Sequence, residues 1–231
     1  MGTLLRTNVR KQHRLMLLLA MVAGCCDSYG LLHFKTYVSF MSGNTTQAGF
    51  SLGHGNFTVA GLALTAILFF LMGILVSALI TEWEAYRKRW MPFVIVASLI
   101  ILCAILNAYL ALSNYSGTAL LSFAMGYLNN TLMHVGKQAA NPDFVTGNLN
   151  AGVRHLANAL LQQPLDHPQG KWDTHRYRAA VLLSIWGCFL VGAFCYSFLE
   201  TWLSHWAILL PASALLLCPL YIHKNPAILN N

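Results

Sequence analysis

Two short stretches carry side chains able to hold a polar solute or an ion within an otherwise apolar chain: Ser42-Gly43-Asn44 and Thr146-Gly147-Asn148. Each sets a hydroxyl and a carboxamide on either side of a glycine, which offers donors and acceptors without charge and permits a tight backbone. Phe144, Gly147 and Asn148 each stand 104 positions after Phe40, Gly43 and Asn44, so the same chemistry occurs twice. Asp27 is the only acid in the middle of an apolar run; Asn129, with Asn130 beside it, holds the matching place further on. A carboxylate buried among apolar residues is costly enough to mark a function, and its protonation could switch a site. The competing reading is an Asp27 that pins helix packing through hydrogen bonds to Asn129 or to a motif hydroxyl. His33 and His134 follow Asp27 and Asn129 by six and five residues, and His155 can share a helical face with Asn148 and Gly152. These three histidines are accessory candidates, since interfacial His serves as an anchor more often than as a ligand.

The chain holds no His-Glu-x-x-His, Gly-x-Ser-x-Gly or phosphate-loop pattern, and its six cysteines form no Cys-x-x-Cys pair or cluster at metal spacing. An enzyme is therefore not expected, nor a metal or cofactor, and the cysteines read as small apolar packing residues.

The elements that must position these residues follow from composition. Of 231 residues, 57% are hydrophobic and 9% charged, against about 25% charged in an ordinary soluble domain. Apolar stretches of about 20 residues, enough to cross a bilayer as helices, run at about 15 to 34, 57 to 80, 91 to 112, 117 to 135, 178 to 199 and 203 to 222. Uninterrupted runs such as "LALTAILFFLMGILVSALI" lack the alternation of barrel strands, so the expected fold is all-α, a polytopic bundle of about six transmembrane helices. Thirteen of the fourteen Lys and Arg residues fall on one side of that arrangement and only Lys35 on the other, which puts both termini in the cytoplasm. The net charge of +7 then reports topology, and nucleic acid is not an expected partner.

Division near residue 114 yields two repeats, 1–114 and 115–231, each with a helix, a Gly-Asn motif and two more helices. The first helices carry Gly24-x-x-Asp27 and Gly126-x-x-Asn129. Three spans per repeat is an odd number, so the repeats are expected to be inverted relative to one another. The motif segments are too short to cross and too apolar at their flanks for wet loops. They are read as re-entrant, with Ser42 and Thr146 as N-caps of short helices whose N-termini meet near the midplane from opposite faces. One alternative remains open at the N-terminus: "VAGC" at 22 to 25 resembles a lipoprotein cleavage site, although cleavage would remove the first helix of the repeat.

"GCCDSYGLLHFKTYVSFMSGN", "AMGYLNN" and "FVTGNL" together resemble the bacterial YoaK-like family of hydrophobic membrane proteins, a domain of unknown function, over nearly the whole chain. The chain departs from that pattern at Ser42, at Leu128 and in the longer stretch "KQAANPD". The resemblance implies a bacterial inner-membrane location but no activity. The combined expectation is a small transporter or channel-like permease for an anionic or small polar solute, with Asp27 as the candidate proton-coupling group, the lipid bilayer as its surroundings and room for a homo-oligomer. The alternative is a non-transporting structural or assembly subunit in which the motifs only lock the two repeats together.

Overall fold

The computed structural model describes residues 2–82 and 90–225; the basic cluster Arg87, Lys88 and Arg89 lies outside the described residues. Eight α-helices follow in order: α1 (Gly2–Tyr29), continued by a π-helical turn (Gly30–Phe34), α2 (Met41–Gly53), α3 (Phe57–Glu82), α4 (Met91–Leu110), α5 (Asn114–Asn129), α6 (Val145–Leu160), α7 (His175–Leu203) and α8 (Leu209–His223), the last two joined by a 3-10 turn (Ser204–Ile208). A hairpin of two-residue strands, β1 (His134–Val135) and β2 (Gln138–Ala139), precedes α6, with His134 opposite Ala139. The fold is all-helical apart from this hairpin.

Four helical stretches are long and apolar enough to cross a membrane: Leu4–Phe34, Phe57–Thr81, Met91–Leu110 and His175–His223. The last contains both α7 and α8. The expected span at 117 to 135 is not among them: that stretch forms the 16-residue α5, which stops at Asn129, where side-chain amides take over from the helical ladder. Outward faces are apolar: Leu64, Leu68, Leu71, Leu75 and Leu79 project from α3, and Leu190, Phe194 and Phe198 from α7, all exposed. A water-facing helix would place charges there.

Local chemistry sets several boundaries. Ser113 caps α5, its Oγ accepting from Ser116 N at 3.1 Å, and Thr174 caps α7 by accepting from Tyr177 N at 3.2 Å. Pro92 lies in the first turn of α4, where its missing N–H costs nothing. The π-turn after α1 closes on Lys35 in the left-handed region (φ 62°), and there the chain leaves the helix.

Two helix crossings bring backbone against backbone. Where α1 meets α7, a methyl group on Gly24 would overlap the Phe189 carbonyl, and one on Gly192 the Met21 carbonyl. Where α3 meets α5, Gly73 lies against the Phe123 carbonyl and Gly126 against the Phe70 carbonyl. Small residues at such contacts let helices approach closely enough for Cα–H to carbonyl contacts. Gly24 and Gly126 are the glycines of the two first-helix motifs, so each motif places its Asp27 or Asn129 one turn beyond a crossing. Cys25, at the end of the "VAGC" stretch, is buried in the first crossing and its thiol donates to the Gly192 carbonyl at 3.2 Å.

The connector between α6 and α7 is latched by Arg178, whose Nε and Nη2 donate to the two Asp173 oxygens at 2.9 Å each. Burial pushes the Asp173 carboxyl up, but the guanidinium outweighs it and holds the group below the ordinary carboxylate range. Since the folded value lies below the unfolded one, the latch is fully stabilising above the unfolded value and is lost as pH falls through the folded value.

Two predictions follow from the crossings and the latch. Gly24→Val or Gly126→Val is expected to abolish the folded monodisperse peak in detergent size-exclusion chromatography, whereas Gly49→Ala, at a helical glycine with open space around it, raises stability by about 0.5–1 kcal/mol. The native protein should lose thermal stability as pH falls below about 4, and Asp173→Asn, already weakened at neutral pH, should change less over that window in a fluorescence-detected melt.

Candidate functional site

The chain leaves the π-turn at Lys35 and returns through an extended segment whose backbone donors need partners. Asp27 supplies them: its Oδ1 accepts from Val38 N at 2.8 Å and Ser39 N at 2.7 Å, and its Oδ2 from Ser39 Oγ at 2.9 Å. A tight turn then centres on Phe40 (φ −84°, ψ 74°), with Met41 N donating to Ser39 O at 3.0 Å, an inverse γ-turn. Asn44 closes the segment from within α2, donating from Nδ2 to Tyr37 O at 2.8 Å while its Oδ1 accepts from Thr36 Oγ1 at 3.1 Å.

The second connection repeats these bonds. Phe144 (φ −83°, ψ 63°) centres an inverse γ-turn in which Val145 N donates to Asp143 O at 2.9 Å, and Asn148 Nδ2 donates to Asn141 O at 2.7 Å. Asn129 Nδ2 donates to Asp143 Oδ1 and, at 3.1 Å, to Asn141 Oδ1, and Asn141 Nδ2 returns a bond to Asn129 Oδ1 at 3.0 Å. The roles of the pair are exchanged. In the first connection the acid stands on the helix and the hydroxyl on the returning segment; in the second the amide stands on the helix and the acid returns.

The expectation that Ser42 and Thr146 cap their helices is corrected. The capping positions are Phe40 and Phe144, neither of which makes a side-chain cap bond, and Ser42 and Thr146 are the second residues of α2 and α6. The γ-turn already satisfies the first helical N–H, and the Phe40 and Phe144 rings lie over Gly43 and Gly147, where any Cβ would overlap them.

Between the two turns lies a cavity of about 280 Å³, lined by Ser39, Phe40, Met41 and Ser42 from one connection, Asn141, Asp143, Phe144, Val145 and Thr146 from the other, and Asn129 and Phe70 from α5 and α3. The first turns of α2 and α6 thus share one space, and N–H groups of a helix's first turn have no acceptor within the helix. Phe40 and Ser42 also border a wider groove of about 690 Å³ running along α2 past Thr46, Gln47 and Phe50, so these two residues form the partition between groove and cavity. Asp143 is 8% exposed, and its Oδ2 has no hydrogen-bond partner.

Of the residues singled out in the sequence, Ser42, Thr146 and Asn129 line the cavity. Asp27, Asn44 and Asn148 are buried and committed to the connections, and Gly43 and Gly147 carry the two rings. Asn130 caps α5 and donates to Ser77 Oγ at 3.4 Å. The accessory histidines lie elsewhere: His33 Nε2 is 2.9 Å from Tyr196 OH, His134 is in β1, and His155 contacts His175 and Gln138 at 2.8 Å each. Among the described residues no group of three or more metal-type ligands forms. Ser39, Asn141 and Asp143 were missed. Extending the 104-residue offset one place back pairs Ser39 with Asp143, which would have found the partner of Asp27 and the second acid; instead "KQAANPD" reads in the sequence only as extra length.

A family described as "Protein of unknown function (DUF1275)" has a model that matches residues 15–221, a range containing both connections and both crossings. The chain belongs to that family. No curated protein and no solved structure matches it. The site offers a partly open, mixed polar and apolar space between two helix starts, with one buried acid in its wall.

Asp27→Ala would strand two backbone N–H groups and a hydroxyl at about 1–3 kcal/mol each. A loss of about 3 kcal/mol or more in chemical denaturation is expected, with Asp27→Asn milder because it retains an acceptor.

Proposed function

We propose that the protein is a small permease of a bacterial inner membrane that moves an anionic or small polar solute, with proton coupling, through the cavity between the first turns of α2 and α6. In this reading the chain crosses the bilayer six times with both termini cytoplasmic, and 1–114 and 115–231 are inverted repeats whose connections enter the membrane and turn back. Three correspondences support the repeats: γ-turns of nearly equal dihedrals at Phe40 and Phe144, Asn44 and Asn148 closing carbonyls seven residues behind them, and glycine crossings at Gly24 and Gly126. Irregular backbone at membrane depth is tolerated where it is buried in protein or lines a cavity, and transporters with broken helices bind solute at such a place. The likeness of the motifs to the YoaK-like family belongs to the same reading and adds no activity to it. A homo-oligomer would cover the exposed flanks of α2 and α6.

The observation that carries the proposal is the shared cavity. Helix N-termini favour an anion or an acceptor group, Ser42, Thr146 and Asn129 add neutral polar contacts, and Phe40 stands between the cavity and the outer groove. A second reading, a structural or assembly subunit, draws on Asp27, Asn44 and Asn148, each of which serves the backbone.

Proteoliposomes challenged with small labelled anions and neutral polar solutes, with and without a pH gradient, should accumulate at least one of them. Thr146→Phe, which fills the cavity, should cut that uptake to a tenth or less while Gly49→Ala leaves it unchanged. If no solute moves under any gradient, the permease reading is lost and the structural one takes its place.

A further inference from the structure

The two buried acids near the cavity are furnished very differently. Asp27 receives three donors, two of them backbone amides, and both its oxygens are engaged. Asp143 receives one side-chain donor, Asn129, on Oδ1, and its Oδ2 has none. The two carboxyls belong to one neighbourhood: Ser39, which bonds Asp27, lines the cavity beside Asp143. Close acids do not both ionise readily, and a carboxyl with few donors is the easier one to protonate. Asp27 is the ionisable group that faces Asp143; the other polar side chains against it, Asn129 and Asn141, are neutral amides.

The cavity also sets a contradiction for any solute. The starts of α2 and α6 attract negative charge, yet an ionised Asp143 in the wall repels it. A proton on Asp143 removes the conflict, because it takes the negative charge out of the wall before the anion enters. One titratable acid neutralises one charge, so a monoanion fits. The walls choose further: Phe40, Phe70 and Phe144 line the same cavity with apolar surface beside the polar groups. The volume lies just under the roughly 300–1,000 Å³ typical of sites for drug-sized ligands.

We infer that Asp143 carries the coupled proton and that the cavity admits a small monocarboxylate only together with that proton. This rests on the permease reading and names its substrate class and coupling residue. The step is a balanced protonation: the Asp143 carboxylate takes one proton from the side to which the cavity is open and becomes neutral, the anion binds beside it, and both proton and anion leave on the other side. Asp27 remains a positioning residue that holds the returning segment.

The test uses the full-length protein with formate, acetate and lactate as probes. Binding is measured by calorimetry in detergent between pH 5.5 and 8, and proton uptake with a pH dye in weak buffer. Obligate coupling to one proton makes affinity fall about tenfold per pH unit in the upper part of that range, with one proton taken up per anion bound. Asp143→Asn, whose Oδ1 can still accept from Asn129 and whose amide carries no charge at any pH, should bind the same anions with affinity independent of pH and no proton uptake. In proteoliposomes it should allow anion exchange but not accumulation driven by a pH gradient. Size-exclusion profile and helical circular dichroism verify its fold; if it does not fold, the proton count and pH slope of the native protein decide alone. Native binding without proton uptake, or Asp143→Asn retaining the native pH slope, overturns the inference while leaving the permease reading intact. If none of the three anions binds but another solute is transported, the substrate class is overturned. If nothing binds or moves, the permease reading itself fails.

Discussion

A helix that breaks inside an apolar bundle releases backbone donors and acceptors that no water can satisfy, and the architecture of this chain is organised around meeting that demand. The segments 35–40 and 140–144 are the two breaks. Each is closed from the preceding helix by a side chain twelve to fourteen residues back, Asp27 or Asn129, and from the following helix by an asparagine seven residues on, Asn44 or Asn148. Remove these four side chains and the segments have no reason to stay within the bundle. The γ-turns at Phe40 and Phe144 then start α2 and α6, whose first turns line one cavity.

The crossings of α1 with α7 and α3 with α5 make that arrangement rigid. Carbonyl against glycine at Gly24, Gly192, Gly73 and Gly126 brings the helices together at points one turn before Asp27 and Asn129, so the residues that hold the breaks are themselves held by backbone contact. The aromatic cluster of Tyr29, Phe34 and Tyr196 packs the end of α1 against α7, and Asn107 of α4 donates to the Tyr29 hydroxyl at 3.0 Å. Stability and site geometry are thus linked through the same few turns of helix.

The exchange of roles between the two connections is what gives the cavity chemistry. Had both helices carried an acid and both returning segments a serine, every carboxyl oxygen would be engaged and the cavity wall would be neutral. Placing the second acid on the returning segment at Asp143, with the amide on the helix, brings a carboxyl to the cavity wall with one oxygen bonded and one bare. Two copies of a structural device, differing by where the acid sits, produce an asymmetric site.

Much of this was legible in the residues themselves. Apolar runs of helical length, the Gly-x-x-Asp and Gly-x-x-Asn motifs and the 104-residue offset depend on local composition and spacing, which sequence displays directly. The offset pairs Ser42 with Thr146, the Gly-x-x-Asn motif marks Asn129, and all three line the cavity. What tertiary structure decided was which polar groups are consumed and which remain. Asp27 stands out in sequence as an acid among apolar residues, but only the fold brings Val38 and Ser39 back to engage it. Asp143, in a polar stretch with a proline before it, looks like an ordinary loop acid until the chain's return buries it. Hydrogen-bond satisfaction depends on distances between segments far apart in the chain, and no local pattern encodes those distances.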